Sequence, residues 1–323
     1  MTERAKIGMV FDRTFPGTAV TEFARRLEAG GVDEMWFIED CFFTTAPPLA
    51  AAALAVTDRL SVGLGILPAV VRTAAVTAME IATLSSIGPG RVIGGVGHGI
   101  QSWMGQMGVR PRSPLTALDE VLIAVRRLLA GETVTVDGTT VHLDDVHLEH
   151  VPTPTPPVLA GVRGPRSMAL AGRVSDGLIL AGPCPPAYVT WAVETAASPR
   201  PDFAVATFTN VCVTEQAATA YATMAPWLIE VLGTRDTAED TALRLLPCYD
   251  DLVARAAAGP EAVAGMPREQ WLEIGAIGTL DDAVEHVAAV AAAGATSIAL
   301  FPTNDLGVAR RQVDDVIAIA AKR

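Results

Sequence analysis

The stretch Pro157–Leu180, PVLAGVRGPRSMALAGRVSDGLIL, has the pattern of one β-loop-α-β unit with a candidate anion site at its centre. Pro165 suits the first turn of a helix. The backbone N–H groups of Arg166 and Ser167 would then lack acceptors within the helix, and the positive end of the helix dipole would lie beside Arg163 and Arg166. A phosphate would fit such a helix end, although an ordinary capped turn has the same local pattern.

Carboxylate, thiol and imidazole groups follow two other short apolar runs. Glu39–Cys41 follows the first run, and because neighbouring side chains of a strand point to opposite faces, at most one carboxylate is expected to face a ligand. A third acid or a nearby histidine is missing from this stretch, so no metal site is predicted. His98 lies between glycines in Gly94–Gly99, where the backbone can approach a ligand closely, and a solvated loop histidine is the alternative.

These candidate residues lie at the ends of short strands that alternate with helical patterns along the chain. The predicted strands are Ala5–Phe11, Met35–Ile38, Leu60–Gly65, Val92–Gly97, Val158–Gly161, Leu178–Leu180, Phe203–Val213 and Ser297–Phe301. Eight such strands predict a (β/α)8 TIM barrel, whose active site lies at the carboxyl ends of the strands. A doubly wound sheet would usually carry a dinucleotide fingerprint after its first strand, and this chain has none there.

Two segments interrupt the alternation of strands and helices. Thr133–Leu143 alternates with a period of two around Asp137-Gly138, which predicts a β-hairpin with a two-residue turn after the fourth helix, within an insertion at residues 132–156. Residues 214–275 have mainly helical patterns and are predicted to be a helical insertion after the seventh strand. The whole chain, residues 1–323, is interpreted as a single barrel domain.

Composition narrows the possible functions. The 24 basic and 36 acidic residues give a net charge of −12, and no basic run is present, so a nucleic-acid partner is not expected. The four cysteines are far apart and are expected to be reduced. The sequence has neither a secretory leader nor an apolar run of membrane-spanning length, so we expect a cytoplasmic protein that does not bind membranes.

Four segments together resemble the luciferase-like monooxygenase superfamily, namely Trp36–Asp40, Gly63–Pro68 (GLGILP), Gly94–Gly99 and Gly164–Gly177. The resemblance covers nearly the whole length and points to the reductases that depend on the deazaflavin F420 and are related to methylenetetrahydromethanopterin reductase. It implies a TIM barrel with insertions, F420 as cofactor and a homodimer. The implied reaction is hydride transfer between reduced deazaflavin and a small organic substrate with an activated C=C or C=N bond.

The same resemblance implies particular roles for residues of this chain. Gly65-Ile66 matches a non-prolyl cis peptide behind the deazaflavin ring, Asp40 matches an acidic residue near the ring, and Gly164–Ser167 matches the phosphate-binding turn. The cofactor contacts implied are Asp40, Gly65, Ile66, Gly97, His98, Gly99, Gly161, Gly164, Pro165, Arg166 and Ser167.

This chain departs from the family at two positions. Cys41 stands where relatives that oxidise sugars or alcohols tend to have a histidine, and Ile100 to Ser102 lack a glutamate that often follows the glycine loop. Alcohol oxidation through that histidine is therefore not expected. The proton-donor candidates are Glu39, Cys41 and His98.

Three other functions are alternatives to the F420-dependent reductase. One is an FMN-dependent monooxygenase of the same superfamily, and another is a flavin-binding barrel without turnover. A third, an aldolase or isomerase, would normally place a lysine at a strand end. The only lysines are Lys6 and Lys322, and neither is so placed, which disfavours that class.

Overall fold

A computed structural model describes residues 4–233 and 242–323. Its strands are β1 (Lys6–Phe11), β2 (Glu34–Phe37), β3 (Ser61–Leu64), β4 (Leu67–Pro68), β5 (Val92–Gly97), β6 (Val134–Asp137), β7 (His142–Val146), β8 (Val158–Gly161), β9 (Gly177–Leu180), β10 (Ala204–Val213), β11 (Ala276–Gly278) and β12 (Ser297–Phe301). Its α-helices are α1 (Val20–Ala29), α2 (Ala46–Leu54), α3 (Ala74–Ile87), α4 (Gln101–Gln106), α5 (Pro114–Leu129), α6 (Pro165–Val174), α7 (Pro186–Ala196), α8 (Ala217–Gly233), α9 (Tyr249–Ala258), α10 (Pro260–Ala264), α11 (Arg268–Ile274), α12 (Leu280–Ala292) and α13 (Leu306–Lys322).

The central sheet closes on itself as a parallel barrel. Its strands pair in the order β1, β2, β3, β5, β8, β9, β10 and β12, and β12 pairs back onto β1. The predicted TIM barrel is confirmed. Apolar side chains between the strands and the surrounding helices form the main core, as the alternation of strands and helices requires.

The barrel interior is filled by large side chains that need glycine opposite them. The Trp36 and Phe208 rings meet edge to face at 5.4 Å. A Cβ atom on Gly63 would lie 2.3 Å from the Trp36 ring, so only glycine fits at that position. Glu34 is buried at the other end of β2, where it accepts hydrogen bonds from the Trp36 indole N–H at 2.8 Å and from the Ser297 hydroxyl. Burial raises the pKa of Glu34.

The hairpin reverses two residues later than its sequence suggests. β6 and β7 are antiparallel, and Asp137 pairs with His142, so the turn lies at Thr139-Thr140 rather than at Asp137-Gly138. The carboxylate of Glu120 on α5 accepts backbone N–H bonds from Thr139, Thr140 and Val141 at 2.7–3.0 Å. These bonds from α5 satisfy the N–H groups of the turn. Contact with a distant helix, and not the local turn residues, therefore determines where the hairpin reverses.

The segment between β10 and β11 is mainly helical in the residues that the structure describes. Helices α8 to α11 pack around a second apolar cluster that includes Leu228, Leu252 and the fully buried Trp271. β11 then extends the sheet by pairing with the end of β10. Residues 234–241 of the predicted helical insertion lie outside the described residues.

Buried His286 on α12 joins this helical segment to the barrel. Its Nδ1 lies 2.6 Å from the Leu272 carbonyl oxygen on α11, and its Nε2 lies 3.3 Å from the Thr209 hydroxyl on β10. The carbonyl can only accept, so Nδ1 carries the hydrogen. Burial lowers the pKa of His286 to about 4, and the ring is therefore neutral at neutral pH.

Candidate functional site at the barrel mouth

A cavity of about 1230 Å³ opens at the carboxyl ends of the barrel strands. One side is formed by the loops after β3, β5 and β8, and the opposite side by α8 and the residues after β1 and β12. The cavity is therefore shared by elements from both halves of the chain, as is typical of active sites in this fold.

The predicted anion turn faces this cavity. α6 starts at Pro165 after Gly164, whose extended backbone provides no side-chain cap, and Met168 donates to the Gly164 carbonyl at 2.9 Å. A Cβ atom placed on Gly164 would meet nothing within 4 Å, so the helix end is open. The N–H groups of Arg166 and Ser167 are in the first turn, where a helix offers donors and a positive dipole to an anion.

The side chains at the turn differ in whether they line the cavity. Arg163, Gly164 and Ser167 line the cavity, whereas Pro165 and Arg166 do not, and the Arg166 side chain is exposed on the helix surface. The backbone direction into α6 explains the difference, because it turns residue 163 towards the mouth and residue 166 away from it. Of the two arginines at the turn, Arg163 is therefore the one that lines the cavity.

His98 connects the glycine loop after β5 to the anion turn. Its Nε2 lies 2.9 Å from the Ser167 hydroxyl, and its Nδ1 lies 3.2 Å from the Pro114 carbonyl at the start of α5. Burial lowers the pKa of His98. The ring lines the cavity, so His98 is a component of this wall and not a solvated loop histidine.

The peptide between Gly65 and Ile66 is cis, as the resemblance implies, and both residues line the cavity. Ile66 lies across Gly97 and Gly161, which are opposite each other in the β5–β8 register. A Cβ atom on Gly97 would lie 2.9 Å from Ile66, and one on Gly161 would lie 2.4 Å from it. Gly161 and Gly99 line the cavity, but Gly97 does not, since the Ile66 side chain covers it.

An ion pair at the rim involves Asp40. Its carboxylate contacts the Arg13 guanidinium, which also lies 4.9 Å from the centre of the Phe43 ring. Asp12 is buried beside them and accepts hydrogen bonds from the Thr14 N–H at 2.8 Å and from the Thr14 hydroxyl at 2.6 Å. Asp40 lines the cavity with its charge compensated, which agrees with a structural or orienting role more than with a free acid.

The contacts of Glu39 and Cys41 do not favour either as a proton donor. Glu39 is buried, forms a two-point ion pair with Arg72 and accepts the Ala46 N–H at 3.0 Å, so its oxygens are already engaged. Cys41 does not line the cavity. Burial, together with the negative charge of Glu39, raises the pKa of the Cys41 thiol and keeps it protonated and inert.

Sequence reasoning missed two parts of the wall. α4 brings Trp103 to the cavity, and α8 contributes Met224, Trp227 and Glu230. Pro226 within α8 was the available signal, since a proline inside a helix removes a backbone hydrogen bond and often marks a bend. The α8 wall is mixed apolar and acidic, unlike the turn on the other side.

Across residues 4–233 and 242–323, no group of three histidine, cysteine, aspartate or glutamate side chains is arranged to hold a metal ion. Over the same residues, no helix combines the length and apolar character needed to cross a membrane. The four cysteines are free thiols.

The barrel and its mouth define the class of protein, a (β/α)8 barrel with a ligand cavity at the strand ends. The family described as luciferase-like monooxygenase matches residues 7–297, and the chain belongs to that family. Among curated relatives, 5,10-methylenetetrahydromethanopterin reductase from Methanolobus tindarius is 33% identical over 174 residues, covering 54% of this chain and 53% of the relative. An F420-dependent glucose-6-phosphate dehydrogenase from Beutenbergia cavernae is 34% identical over 138 residues, covering 42% of this chain and 41% of the relative. The chain thus matches about half the length of these relatives or less.

Solved structures share the whole fold at low sequence identity. The coenzyme F420-dependent tetrahydromethanopterin reductase from Methanopyrus kandleri superposes with a TM-score of 0.77 at 18% identity, covering 98% of both chains. A type II Baeyer-Villiger monooxygenase from Pseudomonas putida, in complex with FMN, gives a TM-score of 0.75 at 16% identity, covering 98% of this chain and 97% of the other. These likenesses establish the fold.

Proposed function

We propose that this protein is an F420-dependent oxidoreductase that transfers a hydride between reduced deazaflavin and a small organic substrate. The observation that carries the proposal is the continuity of one cavity from Gly65-Ile66 to the open helix end at Gly164–Ser167. A cofactor with a flat ring and an anionic tail needs both features in one cavity. The name of the curated relative from Beutenbergia cavernae, an F420-dependent dehydrogenase, supports F420 over FMN.

The residues at the turn suit an anionic tail. The first turn of α6 supplies backbone donors, Arg163 supplies a positive charge, and Gly164 leaves the space beside them open. The protein as a whole carries a net charge of −12, so this local arrangement must overcome a general repulsion of anions. The ring would be held by Gly65-Ile66 and by His98-Gly99, and a bound reduced deazaflavin would supply the hydride.

The contacts of the three proton-donor candidates indicate which kind of double bond the site can reduce. Addition of a hydride to a C=C bond requires a proton at the neighbouring atom, whereas addition to a cationic C=N bond does not. Glu39 is bound to Arg72, both ring nitrogens of His98 are hydrogen-bonded, to Pro114 and Ser167, and Cys41 is outside the cavity. These contacts support a C=N substrate over a C=C substrate.

The test is a titration of the purified protein with F420 and, separately, with FMN, followed by fluorescence quenching. We expect tight binding of F420 and weaker binding of FMN. Tight binding of FMN alone would instead support the FMN-dependent monooxygenase, and tight binding of F420 without turnover of any iminium or enone substrate would support the non-catalytic barrel. Binding of neither compound would refute the proposal.

Two arginine variants locate the anionic tail. Arg163→Ala should weaken F420 binding by roughly tenfold or more, because a hydrogen bond to a charged group contributes about 1.5–3 kcal/mol. Arg166→Ala, a matched change three residues away on the exposed face, should leave the affinity nearly unchanged. Equal effects of the two variants would contradict the assignment of Arg163.

The homodimer implied by the family stays a prediction that light scattering after size-exclusion chromatography can check.

A further inference from the structure

A chain of hydrogen bonds runs from the start of α5 to the anion turn. The Pro114 carbonyl lies 3.2 Å from Nδ1 of His98, and Nε2 of His98 lies 2.9 Å from the Ser167 hydroxyl. A carbonyl can only accept, so Nδ1 carries a hydrogen. In the neutral ring Nε2 must then accept, which makes the Ser167 hydroxyl the donor to His98.

This arrangement is unfavourable for an anion at the turn. The Ser167 proton is directed to His98, so Oγ offers an approaching anion only its lone pairs. If His98 takes up a proton from solvent, Nε2–H donates to Ser167 Oγ and the Ser167 proton is free to donate to the anion. One N–H bond forms on His98, no other covalent bond changes, and the imidazolium charge lies one hydrogen bond away from the anion.

We propose that binding of an anionic cofactor tail at Gly164–Ser167 is coupled to uptake of one proton by His98, which acts through Ser167 as a positioning residue. The inference rests on the proposed function, since it takes the phosphate-bearing cofactor as the anion. Protonation of His98 converts the Ser167 hydroxyl from a poor partner for phosphate into a hydrogen-bond donor when the anion binds.

The surroundings of His98 explain why the proton comes with the ligand. Burial lowers the pKa of His98, so the free protein holds it neutral. The α4 helix carries no charged residue. On the adjoining segments 110–120 and 163–167, the charged side chains are Arg110, Arg112, Asp119, Glu120, Arg163 and Arg166. Glu120 is bound to the hairpin N–H groups. Burial is the main cause that lowers the pKa of His98, and an anion beside Ser167 would compensate the charge that burial disfavours.

The first experiment counts protons directly. Isothermal titration of the wild-type protein with F420 and with FMN, in buffers of different ionisation enthalpy at pH 7.5, should show net uptake approaching one proton. The affinity should fall by up to about tenfold for each unit of rising pH between the pKa of His98 in the free protein and its higher pKa in the complex. The second ionisation of the FMN phosphate, near pH 6, favours binding at higher pH and therefore acts in the opposite direction.

Variants then identify the residue that takes up the proton. His98→Gln has an amide that does not titrate, and it should bind without proton uptake and with little dependence on pH. Ser167→Ala keeps the imidazole but removes the link, so its proton uptake should also fall. His142→Gln is the matched control, because His142 is exposed on the hairpin and bonded to Asp137. Circular dichroism checks that each variant is folded.

The outcomes separate this inference from the proposed function. Tight binding with no proton uptake in the wild type would overturn the proton coupling and leave the proposed function standing. Uptake that persists in Ser167→Ala but disappears in His98→Gln would overturn the relay through Ser167. If neither F420 nor FMN binds at any pH, the proposed function fails and the proton coupling fails with it.

Discussion

Acid should weaken the attachment of the helical segment to the barrel through His286. This ring is fully buried and neutral, with its Nδ1–H donated to Leu272 and its Nε2 facing Thr209. Between its ordinary pKa of 6.5 and its lowered pKa of about 4, the unfolded chain binds a proton that the folded chain does not. The free energy of unfolding should therefore be fully retained above pH 6.5 and should fall as the pH drops towards 4.

The size of this effect follows from the shift in pKa. Each unit is equivalent to about 1.4 kcal/mol, so a shift from 6.5 to about 4 corresponds to roughly 3 kcal/mol over the whole window. Between pH 7.5 and pH 4.5 most of that amount should be lost. For a protein stabilised by about 5–15 kcal/mol, this is a large share.

The assay is urea unfolding of the wild type and His286→Asn at both pH values, followed by tryptophan fluorescence at constant ionic strength. Asparagine keeps a donor for the Leu272 carbonyl but does not titrate, so the variant should be less stable at pH 7.5. The difference should shrink by roughly 2–3 kcal/mol at pH 4.5. His142→Gln controls for loss of an exposed histidine. An unchanged difference between wild type and His286→Asn at the two pH values would refute the argument.

Two further changes test the barrel and its rim. Gly63→Ala would place a Cβ atom 2.3 Å from the Trp36 ring and should destabilise the fold by about 1–3 kcal/mol, measured as a lower melting temperature. Gly105→Ala should leave the melting temperature nearly unchanged, because its Cβ atom would meet its nearest neighbour only at 4.0 Å. Equal shifts in melting temperature for the two variants would contradict the packing argument. Arg72→Met leaves Glu39 buried without its partner and should cost about 3–5 kcal/mol. Adding Glu39→Gln should recover part of that loss in urea unfolding, and no recovery would show that the arginine matters for another reason.

Local sequence patterns were sufficient to predict the barrel. Short apolar runs, glycine and proline breaks and helical spacing are properties of neighbouring residues, and they are enough to locate the eight strands and the turn at Gly164–Ser167. Because strand ends in a closed parallel barrel meet at one mouth, the same patterns also placed Asp40, Gly65 and His98 on one cavity wall.

Only the tertiary structure decided which side chains face that cavity and what they contact. Glu39 binds Arg72 across 33 positions of sequence, and His98 meets Ser167 across 69. Such partners are set by strand register and by the rotation of each helix about its axis, which no local pattern encodes. The same cause turns Arg163, and not Arg166, into the mouth. The sequence alone thus determined where the site lies, and the packing of distant segments determined the charge and hydrogen-bonding state of the groups within it.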